Sequence, residues 1–373
     1  MPDITLNLPL ATTRTTDIEP AKNPRREFIA PIPDEPGAYL LVLDNTSLDK
    51  IKRCHVAGRN YLTLGREAQA KNAALVYGGA IHEGFDLFHQ WQFAEAHGLP
   101  SDHLNAAAQD AAIVQFFTEN PPPATSDSFR TLGNALEVMK SYRRRCDTNL
   151  HPDYEWEIMS DERGPIIERA FELPLAVYEG EWSYNNETVS KIYLAWSGRI
   201  DLIVKANTRI RICDNKTSSV DNPEFVEAFR MASQTIGYNW AAQQMWPDLG
   251  VRGFLLNAIY LEGKKAKAAS LAGRSISERG PKGGEPALRF DRHYIDYSDD
   301  RIEGWKKATI ILIEDFLHSV SRNYFPPNDA SCINKFGKCP YFDSCSFDNE
   351  SVGLAYLNSA AFKEVTWNPV TGR

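Results

Sequence analysis

Residues 198–219 read GRIDLIVKANTRIRICDNKTSS, two β-branched runs around the polar pair Asn207 and Thr208, with one aspartate in each run. The Ile and Val content marks both runs as strands, and a two-residue polar link between them marks a hairpin. With that turn Ala206 faces Arg209 and, counting outward, Asp201 faces Asp214. Directly opposed residues of an antiparallel pair hold their Cβ atoms ~5 Å apart, so two anions there repel unless a cation lies between them. Period-two alternation puts Lys216 on the face of Asp214 and turns Cys213 and Asn215 to the other face. Hard carboxylate oxygens suit Mg²⁺ or Mn²⁺. An isolated Asp-x-Lys is frequent by chance, and strand-end acids in water with a lysine partner would account for it equally well.

The surrounding chain supplies context. Helical spacing runs through Ala73–Ala96 and stops at Gly98 and Pro100, and further helices are expected over 102–118 and 129–147. After Arg163 the pattern turns to β-branched and aromatic residues, the sheet-forming region. One helix is expected over 222–246, with Asn222 as N-cap and Pro223 at the first helical position. Strands near 253–261 and 287–297 and an amphipathic helix from about Asp300 to Asn323 complete the reading. The sequence thus divides into an extended or disordered Pro-rich leader (1–37), a mainly helical region (38–165), a mixed α/β core (166–325) and a Cys-rich segment with tail (326–373).

Composition narrows the class. The 373 residues suffice for two or three folding units or one domain with insertions. No segment approaches the ~18 consecutive apolar residues of a membrane helix, and the first residues lack the apolar middle of a secretory signal, so no membrane association and a cytoplasmic setting are expected. A net charge of −8 argues against a protein that coats nucleic acid by bulk electrostatics, while leaving room for a local basic groove. Residues 263–284 carry six Lys or Arg against Glu278 alone, a basic Gly- and Ser-containing loop that could contact phosphates or simply be solvated.

Two other segments bear on the hairpin. "YGGAIHEGFDLF" places His82, Asp86 and His89 on one helical stripe, which by itself reads as ordinary polar surface or a separate zinc site. "QTIGY" places Gln234 and Tyr238 four residues apart on one helix face, opposite Phe225, Phe229, Ala232 and Ile236, the expected core side. Together, "GRID", "DNKT", His82 and Gln-x-x-x-Tyr occur in an order that resembles the PD-(D/E)XK nuclease superfamily, in its RecB-like branch, over most of residues 45–345. The resemblance implies a restriction-endonuclease-like α/β fold, a mixed central sheet flanked by helices, with a helical N-terminal insertion. It implies that His82, Asp201 and Asp214 hold Mg²⁺ or Mn²⁺, with the Asn215 carbonyl as a further ligand. Lys216 would orient the attacking water, and Gln234 and Tyr238 would support the substrate strand or the lysine.

The tail holds Cys332, Cys339 and Cys345 in a turn-rich segment, without the Cys-x-x-Cys knuckle of small zinc modules. Cys54 lies far upstream, in a context similar to the lone N-terminal cysteine of RecB-like nucleases that carry a 4Fe-4S cluster, such as the AddB nuclease domain and the exonucleases of CRISPR adaptation. That similarity implies a four-thiolate iron–sulfur staple built from Cys54, Cys332, Cys339 and Cys345, with zinc as the alternative. Here six residues separate the first two tail cysteines, where many such relatives have two. Cys213 reads as a buried strand thiol and Cys146 as incidental. The function implied is a metal-dependent exonuclease acting on DNA ends or single strands in bacterial or phage replication, recombination or repair, with a helicase or recombination protein as partner. The rival readings are a non-catalytic DNA-binding adaptor with a zinc staple and a phosphodiesterase acting on RNA.

Overall fold

The computed structural model describes residues 29–69, 73–122, 130–151, 154–218, 223–262, 287–334 and 337–365. The leader's residues 1–28, the basic stretch 263–284 and Asn222 lie outside the described residues. The chain forms two compact units, each assembled from separated stretches: Met1–Ala70 with Ala170–Arg199 and Glu303–Arg373, and Lys71–Arg169 with Ile200–Ile302. The chain passes between units inside the strands Ile167–Tyr184 and Glu187–Ala206 and the helix Asp299–Ser321, and a periodic run reads as one element whichever core it serves.

In the first unit, Ile29–Pro31, placed with the leader on sequence, pairs antiparallel with Tyr39–Leu41. Ala38–Leu43 in turn runs parallel to Lys191–Trp196. Asp44 caps the following helix, Asn45–Arg53, by accepting from the main-chain nitrogens of Thr46 and Ser47, while Ser47 Oγ accepts from the Asp44 nitrogen at 2.8 Å. The helix ends at Cys54, whose backbone is extended. Asn185 and Asn186 supply the two positive φ values of the turn between the long strands. Trp196 is fully buried and meets Trp305 edge to face, and the Tyr178 hydroxyl donates to the Ile310 carbonyl at 2.8 Å.

The second unit is a mixed sheet with helices against it. The expected hairpin is present: Asn207 and Thr208 both have positive φ, Ala206 pairs with Arg209 and Leu202 with Cys213. Arg209–Ser218 then runs parallel to Phe254–Glu262, which pairs antiparallel with Ala287–Ile295. On one face the helices Ala73–Ala96, Ala106–Glu119 and Leu132–Arg145 bury Tyr77, Phe85, Ile113, Met139 and Tyr142 against Ile259 and Leu261. The helix expected over 222–246 is instead two, Pro223–Arg230 and Ser233–Met245, because Ala232 takes an extended conformation at the junction.

His89 does not lie on a polar surface stripe; it is 1% exposed, packed among Phe85, Phe88, Tyr142 and Trp156. Burial, then the charges of Arg292 and His82, push its pKa from the usual 6.5 to about 3. The unfolded chain therefore binds a proton below about pH 6.5 that the folded protein refuses, and stability is lost at about 1.4 kcal/mol for each unit that the pH drops across that window. Urea unfolding at pH 6.5 and pH 5 should show the native protein losing about 2 kcal/mol more than a His89→Gln variant. Equal losses would refute a neutral buried His89.

Candidate active site

Strand pairing in the hairpin stops at Leu202 and Cys213, so Asp201 and Asp214 occupy the next step outward, where the ladder has ended. Phe93 packs with Cys213, Leu202 and Val204, which places the helix Ala73–Ala96 on the face away from Asp214. From that helix His82 nevertheless reaches the acids, its Nδ1 lying 3.5 Å from Asp201 Oδ2. Its Nε2 donates to the Asn215 main-chain carbonyl at 2.7 Å. His82, Asp201 and Asp214 each present a ligand atom, and these atoms all lie within 4.8 Å of one another. The Asn215 carbonyl, expected as a further metal ligand, thus lies beside the imidazole of the candidate ligand set.

The electrostatics follow from burial. The Asp214 side chain is 4% exposed, and Lys216 Nζ lies 2.8 Å from its Oδ2. Burial alone would raise the Asp214 pKa, but the Lys216 charge, aided by Asp201 and His82, holds it below the usual carboxylate range. Asp201 is driven well above that range by burial, by the Asp214 charge and by Glu168, with Lys216 opposing. Despite burial, the two aspartates also hold the Lys216 ammonium above its ordinary value. Beyond the Lys216 ammonium on Asp214 Oδ2, Asp214 Oδ1 and Asp201 Oδ2 meet no hydrogen-bond donor, the condition a divalent cation would relieve. The donor set of two carboxylates and one neutral imidazole fits Mg²⁺ or Mn²⁺.

Gln234 and Tyr238 sit on the helix Ser233–Met245, which packs against the Asp214 strand. Thr235 through Ala242 are all buried, Tyr238 at 9% exposed, and Gln234 is half-buried. The helical angle drawn from Phe225 and Phe229 does not extend across the break at Ala232, so it does not fix which way Gln234 and Tyr238 face. Phe225 stacks edge to face on Tyr260, which the strand register places on the same side as Asp214 and Lys216.

Glu168 went unnoticed in the sequence, yet its charge acts on both Asp201 and Lys216, and its backbone has φ 46°. A glutamate inside a β-rich run gives no sign of a positive φ, so no local pattern could have singled it out.

The four candidate cluster cysteines all belong to the first unit. The Asn328 nitrogen donates to Cys54 Sγ at 3.3 Å, Cys332 Sγ donates to the Asn328 carbonyl at 3.7 Å, and the Cys339 nitrogen donates to the Cys332 carbonyl at 2.7 Å. Cys54 and Cys339 pack against one small core of Ala57, Tyr341, Leu357 and Phe362. Burial and then the Cys339 and Cys54 neighbours raise the Cys332 thiol. Among the described residues the sulfurs do not come together as a metal-binding group, as His82, Asp201 and Asp214 do. Cys213 is buried, as expected, and so is Cys146.

No described helix is long and apolar enough to cross a membrane. No curated protein matches the chain. Among solved structures, a Eubacterium rectale protein described as a "putative exonuclease" is 13% identical, with 83% of this chain and 88% of that chain covered and a TM-score of 0.39. Another, SSO0001, is 12% identical over 73% of this chain and 84% of that chain, with a TM-score of 0.20. Neither similarity bears on the chemistry. The family model described as PD-(D/E)XK nuclease superfamily matches residues 46–346, a span that holds His82, Asp201, Asp214 and Lys216, and the chain belongs to that superfamily.

Proposed function

We propose that this nuclease is a Mg²⁺- or Mn²⁺-dependent deoxyribonuclease that degrades DNA from ends or single strands in replication, recombination or repair. The observation that carries the reading is a buried Asp201–Asp214 pair, short of hydrogen-bond donors, with His82 and Lys216 converging on it. His82, Asp201 and Asp214 would hold the cation, which when bound lowers the pKa of a water and offsets charge on the phosphate. Lys216, anchored by Asp214, places an ammonium where it orients that water and stabilises the oxyanion of the displacement. Gln234 and Tyr238 support the substrate strand or Lys216 from the neighbouring helix. A helicase or recombination protein would supply the DNA ends.

Cleavage of end-labelled single- and double-stranded DNA with either metal tests the reading. Ordered loss of nucleotides from one end, abolished by EDTA and restored by Mn²⁺, is the expected result. An inert native protein that still binds Mn²⁺ would turn the reading to the non-catalytic adaptor, and preferential cleavage of RNA would turn it to the other phosphodiesterase.

The same reading gives Cys54, Cys332, Cys339 and Cys345 a 4Fe-4S cluster. Zn–S bonds of ~2.3 Å would draw four sulfurs to within about 3.8 Å of one another, whereas a cluster spreads its thiolates over four irons. What supports a common occupant is that Cys54 and Cys332 both bond to Asn328 and that Cys339 packs on the same small core as Cys54. Anaerobically purified protein should absorb broadly in the visible; a colourless, zinc-loaded protein would reject the cluster.

A further inference from the structure

The helix Ala73–Ala96 carries Gly78, Gly79 and Gly84, each less favourable in a helix than alanine. Two of them are explained by packing. A Cβ on Gly79 would stand 2.6 Å from the Phe116 ring, and one on Gly84 would stand 2.8 Å from Ile113 Cδ1. Both neighbours belong to the helix Ala106–Glu119, which packs closely here because no side chain intervenes.

Gly78 has no such reason. Among the described residues a Cβ there would meet only Thr217 Oγ1, at 3.6 Å, which is an ordinary contact. Packing would accept alanine, and the helix would gain from it. Gly78 is half-buried and lies four residues before His82, so the two share one stripe of the helix, about 6 Å apart along its axis. Three residues earlier the stripe reaches Leu75, which is 75% exposed. It therefore opens to solvent at one end and meets the cluster of His82, Asp201 and Asp214 at the other. On the strand side Thr217 directly follows Lys216.

A phosphodiester that reacts at the cluster brings its flanking nucleotides with it. Along this stripe the first ground they cross carries no side chain. Glycine lets a ligand approach the main chain closely, and a threonine hydroxyl is a common donor to phosphate oxygens.

We propose that Gly78 is a substrate-contacting residue: the DNA strand flanking the scissile phosphate runs along the His82–Gly78–Leu75 stripe and lies on the bare helix backbone at Gly78, beside the Thr217 hydroxyl. This deepens the nuclease reading above and rests on it.

The test compares native protein with Gly78→Ala and Gly78→Leu. It measures melting temperature, Mn²⁺ affinity by calorimetry, steady-state cleavage, and binding of a labelled single-stranded oligodeoxynucleotide with Ca²⁺ in place of the catalytic ion. Gly78→Ala should melt with native protein or up to about 3 °C above it, since alanine is the better helix former. It should nevertheless bind and cleave DNA at least about threefold less well, and Gly78→Leu about 10–100-fold less well, with Kd and KM rising together. Mn²⁺ affinity should be native in both. A packing role would not combine a firmer helix with weaker DNA binding. Native Kd and KM in a folded Gly78→Leu would overturn the proposal. So would a fall in Mn²⁺ affinity that matches the fall in cleavage, which would make Gly78 a support of the metal site. If Gly78→Leu does not fold, Gly78→Ala decides alone, and native DNA binding and KM in it would overturn the proposal. A native protein that binds the oligonucleotide without cutting it would reject the nuclease reading, while lost binding in the variants would still uphold the strand path. A native protein that does neither would reject both.

Discussion

Lys216→Ala should lose at least about a thousandfold in cleavage rate and also become markedly less stable, two effects with one cause. The ammonium lies 2.8 Å from Asp214, whose side chain is 4% exposed. Removing it strands a buried carboxylate, and breaking a buried ion pair from one side costs about 3–5 kcal/mol. Part of that cost is recovered if Asp214 takes up a proton, which becomes easier once the lysine no longer holds its pKa down. Urea unfolding of the variant should therefore show a deficit at pH 8 that shrinks toward pH 5. A variant that is inactive yet as stable as native protein at every pH would mean that Lys216 does not neutralise Asp214 in the folded state.

Asp201→Asn should lose activity to a similar degree and shift stability the other way. Without a cation, Asp201 sits beside the Asp214 charge and near Glu168, and burial with these neighbours raises its pKa well above the carboxylate range. A group whose pKa is raised on folding costs stability once pH exceeds its unfolded value near 4, because the folded protein must keep a proton that the unfolded chain releases. The neutral amide escapes that cost, so the metal-free variant should unfold about 1–2 kcal/mol later than native protein at pH 7, a gain that disappears by pH 4. Saturating Mn²⁺ should reverse the order, since ligand that binds only the folded state stabilises native protein by mass action. A metal-free Asp201→Asn protein less stable than native at pH 7 would show that the acids do not repel in the empty site.

Contrasting outcomes from neighbouring residues of one hairpin separate the site's chemistry from its contribution to folding. Loss of cleavage alone would not distinguish a catalytic lysine from a structural one, whereas opposite stability shifts with the same catalytic defect would.

The hairpin was legible because its information is local. A two-residue turn fixes the register, and period-two alternation then fixes which side chains share a face, so Asp201 opposite Asp214 and Lys216 beside Asp214 followed from counting residues. The helix Ala73–Ala96 was legible for the same reason, its apolar spacing running unbroken between its ends. The break at Ala232 was not, since nothing in Met231–Ala232 forbids a continuous helix, and the helical angle taken from Phe225 and Phe229 does not carry across it to Gln234 and Tyr238. Tertiary structure alone decided that His82 reaches the acids from the opposite side of the sheet, that its Nε2 lies beside the Asn215 carbonyl, and that the Glu168 charge acts on Asp201. Sequence periodicity describes one element at a time; these pairs join residues 133 or 33 positions apart, and only the packing of whole elements brings such groups near one another.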